Sequence, residues 1–264
     1  MIQGVKAAMR WAFPKKPGDQ LPSTYVLIKR KKDFEKGRSI IGYHAYFLAK
    51  VQRALGRVIL DLLETTFGCS SFNCPSIDHV MNKLRQFSCM VDKAWSSPRC
   101  KPTRIQVEVH ADDLAGFFPS PPQWCMIRAA EWLLERICQQ KGCPPHQIRT
   151  SVSLGTKTKC FFGKYVTTSN HKTFHFSFFL ELLTFSLDAA VCDVYGEVKK
   201  QIRGGPIGSP LSPAWLTLLV CLEEYKWLHG NLHNPSMRFK TWDAIRYVDN
   251  RLVLSLCFDG INST

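Results

Sequence analysis

Gly204-Gly205-Pro206-Ile207-Gly208-Ser209-Pro210-Leu211-Ser212-Pro213 is the stretch on which the reading of this chain turns. Its glycines open backbone conformations closed to other residues and permit close approach to a neighbouring group. Ser212-Pro213 then launches a helix, serine as N-cap and proline at the first helical position. Working outward, Trp242–Val248 and Arg251–Cys257 read as two strands around a tight Asp249-Asn250 turn. Upstream, Ile105, Val107 and Val109 alternate with Gln106, Glu108 and His110, the pattern of a half-buried strand over Arg104–Ala111. That strand runs into Asp112-Asp113-Leu114-Ala115-Gly116-Phe117-Phe118.

The rest of the chain reads as helices and short strands. Leu48, Val51, Leu55, Val58, Ile59, Leu62 and Leu63 recur at helical spacing over Tyr46–Phe67, and Gly68 ends the run. A second helix is expected over Ile77–Trp95, and a third carries Trp124, Ile127, Ala130, Leu134 and Ile137 before Gly142 and Pro144 stop it. Near the start, strand-like Tyr25–Arg30 leads through a charged turn, Lys31–Gly37, to Ser39-Ile40-Ile41. Residues 149–200 are aromatic-rich, and no order of elements follows from them. Strands and helices do not alternate regularly, so the fold class is α+β.

Composition narrows the partners. Lys and Arg number 35 against 21 acids, a net charge of +14 and a pI near 9.4. A polyanion is the natural partner, because each phosphate neutralised releases counterions. The 11 cysteines lack paired zinc-knuckle spacing, and Cys192, Cys221 and Cys257 sit singly in apolar surroundings. They read as free thiols in an intracellular, reducing compartment. The richest apolar stretches, Phe176–Cys192 and Pro213–Leu222, are too short or carry acids, so no membrane span is expected.

Taken in order, the stretches beginning at Asp113, Gly204 and Arg246 resemble the A, B and C motifs of the reverse-transcriptase palm: an Asp followed by paired aromatics, a Gly-x-Pro-Gln-Gly-Ser-Pro-Leu-Ser-Pro run, and Tyr-x-Asp-Asp. The resemblance implies a right-hand polymerase palm, an antiparallel sheet backed by helices, with partial fingers. By sequence order it divides the chain into an N-terminal extension and fingers, 1–103, and a palm, 104–264. It implies RNA-directed DNA polymerase activity of a mobile-element type, acting on an RNA or DNA template with a primer and dNTPs. Asp113 and Asp249, with Asn250, would hold two Mg²⁺ (or Mn²⁺), which stabilise the attacking and leaving oxygens of phosphoryl transfer. Phe118, five residues after Asp113, takes the place of the steric gate against a ribose 2′-hydroxyl. Gly208 joins it at the nucleotide, and Gly204, Pro206, Ser209 and Tyr247 fall at template and primer positions. Lys36-Gly37-Arg38 resembles the fingers motif whose arginine grips the triphosphate, a role suited to a bidentate guanidinium. Strict alternation places Asp112 on the polar side of its strand and Asp113 on the apolar one; a bulge would exchange their roles.

The sequence also departs from the family. Ile207 replaces the usual Gln, Asn250 replaces the second Asp, and the segment between the first two motifs is long, implying an insertion. The chain ends 15 residues after Asp249, so a fragment is expected, without primer grip or thumb. Two alternatives stand beside the polymerase: a decayed, nucleic-acid-binding remnant, and an RNA-dependent RNA polymerase, against which Phe118 argues. If the basic fingers contact phosphates, binding to a primer–template falls with salt at a log–log slope of about −0.9 per phosphate contacted. Alanine at Lys31, Lys32, Lys36 and Arg38 together then flattens that slope; an unchanged slope assigns them to solvated surface.

Overall fold

The structure, a computed structural model, describes residues 20–28, 37–44, 46–68, 72–96, 104–114, 116–153, 160–162, 171–230 and 242–259. Two compact units are each assembled from two chain segments: Met1–Gly68 with Gly116–Val220, and Cys69–Ala115 with Cys221–Thr264. The second unit is discontinuous in sequence because Trp242–Tyr247 and Asn250–Asp259 return to pair in the sheet that Arg104–Asp113 begins.

The first unit is built on helices α1 (Ala49–Phe67), α3 (Gln123–Lys141) and α4 (Phe176–Asp188). On α1, Val51, Ala54, Leu55, Val58, Ile59 and Leu62 are all 1% exposed or less. They recur every three or four residues, and full burial of each such side chain contributes roughly 1.5–3 kcal/mol. α3 supplies Met126, Ala129, Leu133 and Ile137, and α4 supplies Phe176, Phe179, Leu182 and Leu183. Trp124 departs from the expected apolar face: it lies in the first turn of α3 and is 66% exposed. Gly142 ends α3 in the left-handed conformation at φ 64°, and its N–H and that of Cys143 bond back to the last helical carbonyls.

Strands β1 (Ser23–Ile28) and β2 (Gly37–Gly42) form an antiparallel pair. β7 (Val191–Val194) joins β1 in parallel and β8 (Glu197–Lys200) closes the order β2-β1-β7-β8. The segment left unordered by the sequence therefore contributes two strands to a sheet begun near residue 23. It also holds α4 and a separate antiparallel sheet in the order β5 (Cys160–Phe162), β4 (Arg149–Ser153), β6 (His171–His175). None of these strands is visible as local periodicity, because each is only three to five residues long.

The second unit contains α2 (Ile77–Trp95) and a three-stranded antiparallel sheet in the order β3-β10-β9, from β3 (Arg104–Asp113), β9 (Trp242–Tyr247) and β10 (Asn250–Asp259). α2 starts at Ser76, whose backbone is extended and whose hydroxyl oxygen accepts the His79 N–H. Its Val80, Leu84, Phe87, Val91 and Ala94 pack on Cys74, Ile245, Leu254 and Leu256. A short segment, Phe72–Cys74, bonds through both ends to the backbone of Arg246. The expectation of a half-buried β3 needs correction: Val107 is 42% and Val109 57% exposed. Ile105 packs at the margin of that cluster, but α2 lies on β9 and the middle strand, so Val107 and Val109 alternate as expected and are left uncovered.

The loop from Gly204 to Ser209 is the tightest piece of the first unit. The Ile41 N–H of β2 donates to the Ile207 carbonyl at 2.7 Å, and the Gly205 N–H to the Phe118 carbonyl at 2.9 Å. Gly204 and Gly208 have φ of 65° and 108°, and a methyl on either would overlap the carbonyl oxygens of Phe118 and Ile41 respectively. Gly196, at φ 85°, has open space around it. Gly208→Ala therefore carries both a steric and a conformational penalty and lowers unfolding free energy by about 3 kcal/mol, whereas Gly196→Ala costs about 1. Equal losses in urea titrations would show that the Ile41 contact is not constraining.

Candidate functional site

Asp113 closes β3 directly opposite Asn250, the first residue of β10. The pairing continues without a bulge from Asn250↔Asp113 to Asp259↔Arg104. Opposite residues in an antiparallel pair share a face, so Asp113 shares one with Asn250 and Leu252, while Asp112 shares the other with Arg251. Asp112 is already engaged: the Arg251 Nε and Nη2 atoms donate to its two oxygens at 3.0 and 2.5 Å. Those hydrogen bonds hold the Asp112 carboxyl below the usual aspartate range. Asp113 has no such partner among the described residues. Register and the ion pair across the strands thus set the two aspartates on different faces, with Asp112 engaged by Arg251.

Asp249 lies one residue from that pairing. The Leu114 N–H donates to the Asp249 carbonyl at 2.9 Å, and the Asn250 amide to an Asp249 carboxylate oxygen at 3.1 Å. The turn falls one residue earlier than the sequence suggests. Its two residues are Val248 and Asp249, and Asn250 is already in β10. The reason is Val248, which adopts φ +60°, the sign a type II′ hairpin requires at its first turn position. Glycine is the ordinary occupant there; a β-branched residue stores roughly 1–3 kcal/mol of backbone strain.

Mg²⁺ usually takes one or two carboxylates together with substrate phosphates. Asp113 and Asp249, beside the Asn250 amide, suit that donor set. Among the described residues no three His, Cys, Asp or Glu gather where an ion could be held. An ion at this turn would thus depend on oxygens brought by a nucleotide.

Behind the turn is a residue whose role the sequence reading did not find. Arg246 is fully buried and forms an ion pair with Glu224 of α5 (Ser212–Gly230), Nε–Oε1 2.5 Å. Its Nη2 reaches the second Glu224 oxygen and Cys221 Sγ, both at 3.3 Å, and its Nη1 donates to the Val248 carbonyl at 3.3 Å. Burial works against the Arg246 charge, but hydrogen bonding to and attraction by Glu224 outweigh it. Burial pushes the neighbouring Cys221 thiol up to about 12, so it stays protonated and inert. An arginine three residues before the key aspartate was the available signal, but its partners lie 22 and 25 residues away.

The residues expected at the nucleotide, as far as they are described, belong to the first unit. Phe118 is half-buried, set edge-on against buried Phe117 at 5.4 Å, with its carbonyl held by Gly205. Arg38 is exposed on β2 opposite Leu27, three residues before the Ile41 that bonds to the Ile207 carbonyl. Gly208 is exposed, whereas Gly204, Pro206 and Ser209 are buried. Ser209 Oγ donates to Gln52 Oε1 and accepts the Leu211 N–H, each at 3.2 Å. It thus fixes the loop just before the helix, whereas Ser212, the expected cap, has a buried hydroxyl with no hydrogen-bond partner. Ser212 falls inside the helix, under Gly205, because the first helical hydrogen bond already runs from Trp215 to the Leu211 carbonyl. In the second unit Tyr247 is 40% exposed beside the turn. Lys36, with Lys31 and Lys32, lies outside the described residues.

No protein-family model and no curated protein sequence matches the chain. Solved structures do. Telomerase from Candida albicans, in complex with a TWJ fragment of telomeric RNA, matches with a TM-score of 0.61 at 13% identity, over 96% of this chain and 42% of that one. Apo telomerase from Candida tropicalis matches with a TM-score of 0.62 at 11% identity, over 96% and 44%. The C. tropicalis enzyme with the TWJ fragment gives 0.59 at 14%, over 89% and 36%. The chain spans less than half the length of these telomerases. At such identities the likeness shows the fold: an α+β, polymerase-like architecture shared with a reverse-transcriptase-related enzyme.

Because Val248 holds a conformation natural to glycine, Val248→Gly relieves the turn and raises unfolding free energy by about 1 kcal/mol, net of glycine's entropy cost. A loss of stability in denaturant titration would mean that the Val248 side chain contributes more by packing than its backbone costs.

Proposed function

We propose that this chain is a module of an RNA-directed DNA polymerase, of mobile-element type, performing template-directed nucleotidyl transfer. The observation that carries the reading is the pairing of β3 with β10, which brings Asp113 and Asp249 together from positions 136 residues apart. Bound Mg²⁺ or Mn²⁺ would supply charge stabilisation at the attacking 3′-oxygen and the leaving pyrophosphate oxygen. The protein's own part is to hold two carboxylates on adjacent strand ends. In this reading Arg38 and Lys36 take phosphates of the incoming dNTP, and the half-buried Phe118 ring lies against its sugar, excluding a 2′-hydroxyl. Gly208, with Ile207 in place of glutamine, faces the substrate. Gly204, Pro206 and Ser209 shape the loop from beneath, and Tyr247 adjoins the primer end. Template and primer bind chiefly through phosphate contacts, in keeping with the net charge of +14. The free thiols suit an intracellular, reducing compartment.

A second reading, a nucleic-acid-binding remnant without catalysis, is favoured by one observation. Asn250 presents an amide directly opposite Asp113, where the family motif has a carboxylate. The two readings separate in primer extension on an RNA template with Mg²⁺ or Mn²⁺. Restoring the charge with Asn250→Asp raises dNTP incorporation by about tenfold or more, and adding Asp113→Ala returns it to background. Phe118→Ala in the active background admits ribonucleotides. If Asn250→Asp binds primer–template but extends it with neither metal, the catalytic reading fails and the remnant stands.

A further inference from the structure

We propose that Arg246, clamped by Glu224, is the positioning residue that aims the Asp249 carboxylate for metal binding; this rests on the reading of Asp113 and Asp249 as metal ligands. A side chain's direction is fixed by the peptide planes on either side of its α-carbon. For Asp249 both planes are held. The carbonyl on its N-terminal side, that of Val248, accepts from Arg246 Nη1 at 3.3 Å. The carbonyl on its C-terminal side, its own, accepts from the Leu114 N–H at 2.9 Å. The second restraint comes with strand pairing and needs no special side chain. The first requires a long donor that enters from behind the turn and is itself immobile.

Arg246 meets that requirement. Its backbone N–H donates to the Phe72 carbonyl and its carbonyl accepts from Cys74, each at 2.8 Å. Its guanidinium is locked in the two-point grip of Glu224, with Cys221 Sγ at 3.3 Å. The planar fork leaves Nη1 free to point at the turn. The restrained residue next to Asp249 is also the strained one, Val248 at φ +60°. Strain of this kind persists only where the surroundings over-determine the backbone. Stability alone does not call for such an arrangement, since a buried ion pair is often replaced without loss by apolar side chains of similar volume. What apolar side chains cannot replace is the donor to the Val248 carbonyl.

That difference defines the test, made on the full chain with Mn²⁺ and a dNTP as probes. Metal binding is followed by electron paramagnetic resonance, and folding by thermal melting. Arg246→Met alone strands a buried Glu224 and melts earlier. Arg246→Met with Glu224→Met melts within a few degrees of wild type, yet binds Mn²⁺ about 10-fold or more weakly, as expected when a group that orients a ligand is lost. Arg246→Lys keeps the charge opposite Glu224 but not the fork, so it folds and shows the same weakened binding. Wild-type Mn²⁺ affinity in either folded variant overturns the positioning role. Wild-type affinity in Asp249→Asn overturns the metal-ligand reading beneath it, whatever the Arg246 variants do.

Discussion

The antiparallel register between β3 and β10 is the constraint on which the candidate site depends. Ten consecutive residue pairs set Asn250 against Asp113 and Arg251 against Asp112. A slip of one residue would turn every side chain to the other face and exchange the two aspartates. The buried faces of Ile245, Leu254 and Leu256 against α2 oppose such a slip, since it would send Leu254 and Leu256 into solvent. The Arg251–Asp112 pair opposes it too, though more weakly because it is exposed. Two neighbouring carboxylates therefore have different fates from one cause: one is neutralised by an arginine across the strands, and the other stays available.

In the first unit the same principle operates through backbone rather than side chains. Three segments distant in sequence, at Ile41, Phe118 and Gly204–Ser209, are tied by main-chain hydrogen bonds. Gly204 and Gly208 are required because protein backbone occupies the space where their side chains would be. Their small size thus serves the placement of Phe118 and β2 before it serves any ligand. The Ser209–Gln52 hydrogen bond anchors the loop to the most thoroughly buried helix of the unit.

Buried polar groups mark where structure is spent on geometry. The ion pair between Arg246 and Glu224 lies almost wholly out of water, with side-chain exposures of 0% and 10%. Desolvation of two charges costs several kcal/mol each before their attraction offsets it. The guanidinium's remaining donor goes to a turn whose backbone is strained at a β-branched residue, Val248. Loop strain, buried charge and a neighbouring carboxylate thus converge on Asp249.

The helices were legible in the sequence because their information is local. Apolar spacing marked α1 and α2, and Gly68 and Gly142 marked helix ends, since burial of one face imposes a period that any window of the chain displays. The alternation of β3 and the order of the three motifs were equally legible, and with them the α+β class. Only tertiary structure decided the rest. Whether Val107 and Val109 are covered depends on where α2 comes to lie, not on β3. That Asp112 is paired and Asp113 is not depends on Arg251, 139 residues away. Ser209 holds the loop before α5 through Gln52 and the Leu211 N–H, while Ser212 is buried under Gly205 without a hydrogen-bond partner. Residues 149–200 gave no order because their strands are only three to five residues long, too short for an alternation to show, and one of them joins a strand that begins at residue 23. Periodicity records which face of an element is buried, whereas the partner that buries it is recorded nowhere in the element itself.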